Sequence, residues 1–256
     1  TNELVDNGGS GVIQAGVRSD REGYPLNSVF GLRYCGKIQT EEQLQKYVNK
    51  YKNNSSVGTL TNLRLGDNMF EDVNKDGKLN EEDLVYLGTD DPKMQFSFNA
   101  GVEWNGFDLS IVFQGAGKRT VWRDKSTWRI PMRTAYQNGS NQFIGKTWTP
   151  ENTGAYYPSL TNVSEINNYN YQCSSWAVED GSYLRLKNVT LGYTLPSSLL
   201  NKTKVLSKAR VYVSGADLWE HSNINDGWDP EASRTVDDAK RYPFLRTVTF
   251  GLNLTF

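Results

Sequence analysis

Apolar and polar positions alternate strictly along the segment Thr247–Phe256. Val248, Phe250, Leu252, Leu254 and Phe256 are apolar, and threonine, glycine and asparagine fill the places between them. A period of two is that of a strand with one oily and one wet face. A span of about ten residues is also what a tilted strand needs to cross bilayer hydrocarbon. A soluble edge strand rarely ends on so bare an apolar band, because that edge invites aggregation.

The same pattern recurs. From Met94 to Trp104 the apolar set is Met94, Phe96, Phe98, Ala100, Val102 and Trp104, with Gln95, Ser97, Asn99, Gly101 and Glu103 between. Asn105-Gly106 follows, a hairpin signal because both residues tolerate positive φ. The return strand places Phe107, Leu109, Ile111 and Phe113 on one face. A fourth strand is predicted over Tyr183–Leu195; its phase slips near Lys187-Asn188, which predicts a bulge. After Pro196, Leu199 and Leu200 fit one helical turn, and a fifth strand is predicted over Lys208–Trp219. Gly11–Arg18 and Ser28–Lys37 are weaker strand candidates. One helix is expected at Glu41–Tyr51, started by Thr40 with Gln43 three residues on, as in a capping box.

Connections alternate short and long: Asn105-Gly106, then residues 116–182, then Pro196–Ser207, then Glu220–Tyr242. Outer-membrane barrels show this asymmetry, with short periplasmic turns and long outside loops. The expected fold is therefore all-β, part of a transmembrane antiparallel barrel, with residues 38–93 and 116–182 as extracellular loops. Trp104, Phe107 and Phe256 read as periplasmic-interface anchors, and Trp219 and Phe244 as outer ones. The competing reading is a soluble β-sandwich, which also alternates, but whose strands are shorter and which poorly accommodates so long a loop.

Composition narrows the choice. Lys plus Arg (28) nearly balances Asp plus Glu (29), so there is no electrostatic case for nucleic acid. A mean hydropathy of −0.62 is compatible with a barrel, whose strands are half polar. No apolar run is long enough for a transmembrane helix. The chain starts Thr1-Asn2-Glu3 without an initiator Met or signal peptide, as a mature form or a fragment would. Two cysteines, Cys35 and Cys173, allow at most one bridge between them.

Residues 72–83 read Asp-Val-Asn-Lys-Asp-Gly-Lys-Leu-Asn-Glu-Glu-Asp and fit the twelve-residue calcium loop. Asp72, Asn74, Asp76, the Lys78 carbonyl, Asn80 and Asp83 would supply oxygens, and Gly77 the sharp turn. Asp83 stands where a bidentate glutamate is usual, so binding would be weaker. A structural calcium ion is one expectation; an Asx-rich turn needing no ion is the other.

Several pieces, in order along almost the whole chain, resemble the C-terminal quarter of SusC/RagA-type TonB-dependent outer-membrane transporters of Bacteroidetes. They are Glu22–Leu26 with Phe30-Gly31, Asp72–Lys78, Gly101–Gly115, Asp180–Leu195, Arg210–Trp219, Gly227–Glu231 and Tyr242–Phe256. The resemblance implies about seven of the 22 strands of a barrel whose plug and earlier strands lie outside this sequence. It also implies coupling to TonB through an N-terminal region, a SusD-like surface lipoprotein as partner, and import of oligosaccharides or peptides across the outer membrane. The terminal strand ending in Phe256 resembles the assembly signal of outer-membrane proteins.

No catalytic constellation is expected. His221 has no evident nucleophile partner, and Glu179-Asp180 and Asp229/Glu231 read as loop charges. Substrate contact falls on outside-loop aromatics: Trp122, Trp128, Trp148, Tyr156, Tyr157 and Trp176, with Tyr169 and Tyr171 as further rings. Flat rings suit apolar sugar faces, but they equally suit packing of the loop itself. The rival function is a secreted, calcium-stabilised carbohydrate-binding β-domain without transport activity.

Overall fold

The computed structural model describes residues 3–4, 20–53, 55, 60–122, 130–131, 141–202, 205–224, 228–231 and 245–256. Its strands are β1 (Ser28–Leu32), β2 (Tyr34–Lys37), β3 (Asn68–Phe70), β4 (Leu84–Thr89), β5 (Gln95–Trp104), β6 (Phe107–Ala116), β7 (Thr120–Val121), β8 (Glu179–Asp180), β9 (Tyr183–Thr194), β10 (Lys208–Ser222) and β11 (Thr247–Thr255). Helices are α1 (Glu41–Tyr51), α2 (Ser164–Asn170) and α3 (Ser197–Leu200). The chain divides into two compact units. One holds Thr1–Asp91, Thr120–Glu179 and Ser233–Arg241; the other holds Pro92–Arg119, Asp180–Ala232 and Tyr242–Phe256.

The second unit is an antiparallel sheet in the order β11-β10-β9-β6-β5. Register turns the period-two pattern into continuous rows. Val102, Leu109, Leu191, Val213 and Phe250 are paired in turn across all five strands, as are Trp104, Phe107, Tyr193, Val211 and Leu252. Residues directly opposite share a face, so these rows make one apolar surface. The other face carries Gly101, Ser110, Thr190, Ser214 and Thr249 in one row and Glu103, Asp108, Gly192, Tyr212 and Gly251 in the next.

The hairpin turn forms as expected, with φ of 51° at Asn105 and 87° at Gly106. A Cβ on Gly106 would lie 2.9 Å from the Thr194 carbonyl oxygen, so glycine is required there twice over. The expected bulge falls at Lys187: Val112 pairs with Asn188 and Phe113 with Leu186. Against β10, Asn188 pairs with Ala216 and Leu186 with Trp219, skipping Asp217 and Leu218. The extra residue returns Leu186 to the apolar face, which is the phase slip visible in the sequence. Both short connections, Asn105-Gly106 and the segment between Thr194 and Lys208, leave the same end of the sheet, as does Phe256.

The first unit is built around a conventional buried core. Leu32, Ile38, Tyr47, Tyr51, Leu60, Leu63, Phe70, Leu79, Ile166 and Tyr169 form one cluster. Helix α1 has the predicted bounds, and the Thr40 side chain accepts from the Gln43 backbone N–H. The Gln43 side chain accepts from the N–H of Gln39, one residue earlier than a capping box requires. A polar lock joins α2 to the strand region: Asn68 N donates to Asn170 Oδ1 (2.8 Å), and Asn170 Nδ2 donates to Asp67 Oδ1 (2.7 Å). Burial pushes the Asp67 carboxyl up, against the lowering effect of Asn170 and the Arg64 N–H.

Two expectations change, and the open cysteine question is answered. Ser28–Lys37 forms two short strands: β1 pairs with β4 and β2 with β3, both partners drawn from residues 38–93. The reason is burial. All five β1 residues are enclosed, so neither face is left for lipid or water. His221, read as a loop residue, lies in β10 opposite Leu184. No disulfide joins Cys35 and Cys173; Cys35 is exposed and Cys173 is buried. The strand candidate Gly11–Arg18 and the anchor Phe244 lie outside the described residues.

Candidate functional site

In the first unit the loop aromatics gather around Trp176. Its ring centroid is 5.4 Å from Tyr156, 5.6 Å from Tyr171 and 6.4 Å from both Tyr34 and Tyr157. Trp122 and Tyr157 pack on the cluster of Ile130, Tyr171, Trp176 and Ala177. Exposure separates the candidates. Trp176 is 9 % exposed and Trp148 is 7 % exposed, whereas Tyr156 is 51 % exposed. Trp148 donates from Nε1 to Gln39 Oε1 (3.0 Å), and its ring lies against Gly66, where a Cβ would come within 2.5 Å. Tyr169 is also enclosed, its hydroxyl 2.8 Å from that of Tyr47. Trp148, Trp176, Tyr169 and Tyr171 therefore hold the unit together, and among the described candidates Tyr156 is the most exposed ring. Trp128 lies outside the described residues.

The loop Asp72–Asp83 has the internal hydrogen bonds of its sequence pattern. Gly77 N donates to Asp72 Oδ2 (3.0 Å), Asp76 N to Asn74 Oδ1 (3.1 Å), Lys78 N to Asp76 Oδ1 (2.8 Å) and Glu82 N to Asn80 Oδ1 (2.7 Å). Asp83 is fully buried and closes the loop, taking Val73 N on one oxygen (2.8 Å) and Asn80 N on the other (2.9 Å). Leu79 drops into the core and ties the loop to the unit. Among the described residues, no three His, Cys, Asp or Glu side chains gather closely enough to hold a metal ion.

The wet face of the second unit carries an ion-pair network that sequence reading did not find. Arg185, 1 % exposed, pairs with Glu220, with Asp229 (2.7 Å) and with Glu231 (3.2 Å). Lys187 pairs with Glu231 (3.0 Å) and Asp217 (3.3 Å), and Arg119 Nη2 donates to the Pro230 carbonyl (2.6 Å). Asp229 and Glu231 are thus charge partners of the strand wall. The available signal was two cations at i and i+2 on one strand, Arg185 and Lys187, with two acids at the same spacing in Asp229-Pro230-Glu231. What it lacked was any indication that these segments meet.

A mostly β chain with a five-stranded antiparallel sheet, oily on one face and polar on the other, has the strand pattern found in outer-membrane proteins. No protein-family model matches the chain. Relatives nevertheless match it along nearly its whole length. It is 28 % identical over 267 residues to TonB-dependent receptor P3 of Formosa agariphila, covering 99 % of this chain and 24 % of that protein. It is 29 % identical over 245 residues to TonB-dependent receptor P26 of the same organism (88 % and 22 %) and 25 % identical over 190 residues to TonB-dependent receptor SusC of Bacteroides thetaiotaomicron (74 % and 18 %). Among solved structures, the RagAB peptide transporter matches with a TM-score of 0.67 at 22 % identity, over 100 % of this chain and 24 % of that one, a likeness of fold.

The chain is homologous to SusC/RagA-type TonB-dependent receptors and spans about a fifth to a quarter of their length. These receptors are transporters, not enzymes, and sit in the outer membrane, where the homology places this chain.

Proposed function

We propose that this chain supplies part of the wall and the outside loops of a TonB-dependent importer of oligosaccharides or peptides that works with a SusD-like surface lipoprotein. The observation that carries the reading is the apolar face of the five-stranded sheet. Phe98, Val102, Trp104, Val248, Phe250, Leu252 and Phe256 are each more than half exposed on it. In water such a face is an aggregation hazard; against acyl chains it is matched. In this reading the sheet belongs to about seven of 22 strands, with the short connections and Phe256 at the periplasmic end and residues 38–93 and 116–182 outside. Trp104, Phe107 and Phe256 then form the inner aromatic girdle and Trp219 the outer one.

The fold likeness to the RagAB peptide transporter and the relationship to SusC both support a lipoprotein partner and an oligomeric nutrient as cargo. TonB is engaged elsewhere in the receptor, and Tyr156 is the ring we assign to ligand contact. The test is uptake of labelled oligosaccharides and peptides by cells carrying the full-length receptor with its neighbouring lipoprotein. TonB-dependent uptake of one class supports the reading. A receptor that is monomeric and cooperatively folded without detergent, with no uptake of either class, overturns it.

A further inference from the structure

The loop Asp72–Asp83 has the sequence of a cation site, and one carboxylate at its centre is already in contact with a cation from the chain itself. Asp72, the first position of the loop, has a side chain only 2 % exposed. Its Oδ2 accepts from Gly77 N, which places the carboxylate inside the loop, and Lys50 Nζ stands 3.2 Å from the same oxygen. The other oxygen, Oδ1, is also buried. A buried carboxylate needs a counter-charge.

Lys50 is held where it can supply one. It lies in the last turn of α1, where the helix dipole favours a cation. Its ammonium also donates to the Tyr51 hydroxyl (2.6 Å) and sits 4.5 Å from the centre of the Tyr51 ring. At the twelfth position both Asp83 oxygens already accept loop N–H groups, which commits one lone pair of each to the loop itself.

We propose that the Lys50 ammonium is the resident cation of the Asp72–Asp83 loop, replacing the divalent ion that its sequence pattern would otherwise recruit. The loop then folds and anchors Leu79 whatever the calcium concentration. Hydrogen exchange over peptides spanning the loop, in the full-length receptor in detergent, tests this. Wild-type protection should be the same in excess chelator and in about 5 mM calcium. Lys50→Met should exchange at least about tenfold faster, Lys50→Arg close to wild type, and Lys50→Met/Asp72→Asn should recover protection because no charge is left uncompensated. Chelator-sensitive protection in the wild type would show a bound metal and overturn the proposal. So would a Lys50→Met receptor that exchanges at the wild-type rate.

Discussion

Arg210 reaches across its neighbouring strand to Asp108, two strands away, with Nε donating to Oδ1 at 2.8 Å. The strand it crosses carries Gly192 at that point. A Cβ there would stand 2.4 Å from Arg210 Nη2 and 2.5 Å from Asp108 Oδ1. Gly192→Val should therefore push the pair apart with neither partner itself substituted. The expected outcome is a loss of stability, because a charge-assisted bond is broken. It should be read as a lower midpoint in urea unfolding of the detergent-solubilised receptor. If Asp108→Asn and Gly192→Val lose the same stability singly and together, the pair is confirmed; full additivity would refute the link.

The Arg185 network makes a stronger demand. Replacing Arg185 by Met takes the shared buried cation from Glu220, Asp229 and Glu231, and leaves Lys187 paired with Glu231 alone of the three. Breaking a buried pair from one side costs about 3–5 kcal/mol. The Arg185→Met receptor should accumulate poorly in the outer membrane. Asp229→Asn, which leaves two acids on the arginine, should be milder. Equal abundance of Arg185→Met and wild type on quantitative blots would show that the network contributes little.

The loop aromatics divide by what their removal affects. Trp148→Ala empties a buried ring site and should destabilise the first unit by about 3–5 kcal/mol. Tyr156→Ala, at a half-exposed ring, should leave stability within about 0.5 kcal/mol and weaken ligand uptake. Calorimetric scans paired with uptake assays decide the matter. An uptake defect confined to Trp148→Ala would move the ligand contact away from Tyr156.

The two faces of β11 should respond oppositely to a charge. Phe250, 81 % exposed on the apolar face, becomes costly as lysine, by about 2–4 kcal/mol if it sits near mid-bilayer. Thr249 is its neighbour on the wet face. Thr249→Lys should assemble far better, and folded-band mobility on unheated gels separates them. Equal assembly of both variants would contradict a lipid-facing β11.

Acid should loosen the calcium-like loop before the rest of the first unit. The folded-state pKa of Asp72 is depressed, so its contribution is present above the unfolded value of about 3.9 and is lost as pH falls through the lower folded value. Asp67 works in the opposite sense. Burial raises its folded pKa, so between the ordinary carboxylate value and that raised value the native state holds the extra proton, and its contribution falls as pH rises. The protection factor of the Gly77 amide, that is, its exchange relative to the intrinsic rate at each pH, should fall below about pH 4. Asp72→Asn should lack that acid transition.

What could be read in advance follows from how local each signal is. The β5–β6 hairpin rests on alternation and on two adjacent turn residues, and it appeared with its predicted turn. The Lys187 bulge is a phase slip within one strand, equally local. Helix α1 was announced by Thr40 and its bounds held. Ser28–Lys37 is strand, as its sequence suggests, but it breaks in two and pairs outside the five-stranded sheet; a doubly buried strand shows no alternation to assign its partners, which are about 30 to 60 residues away in sequence. The aromatic candidates were found as residue types, but only packing could separate enclosed Trp148 and Trp176 from exposed Tyr156.

The sequence by itself determined the two-faced sheet, its hairpin and bulge, and the membrane class of the chain, because each depends on neighbours within a few residues and on the spacing of side chains along a strand. Tertiary structure decided which charges meet and which rings stay in solvent. Arg185 found Asp229 and Glu231, Lys50 found Asp72, and Arg210 crossed Gly192 to Asp108 only once distant segments were brought together. Electrostatic and packing energies depend on distance in space, and the order of residues along a chain does not contain it.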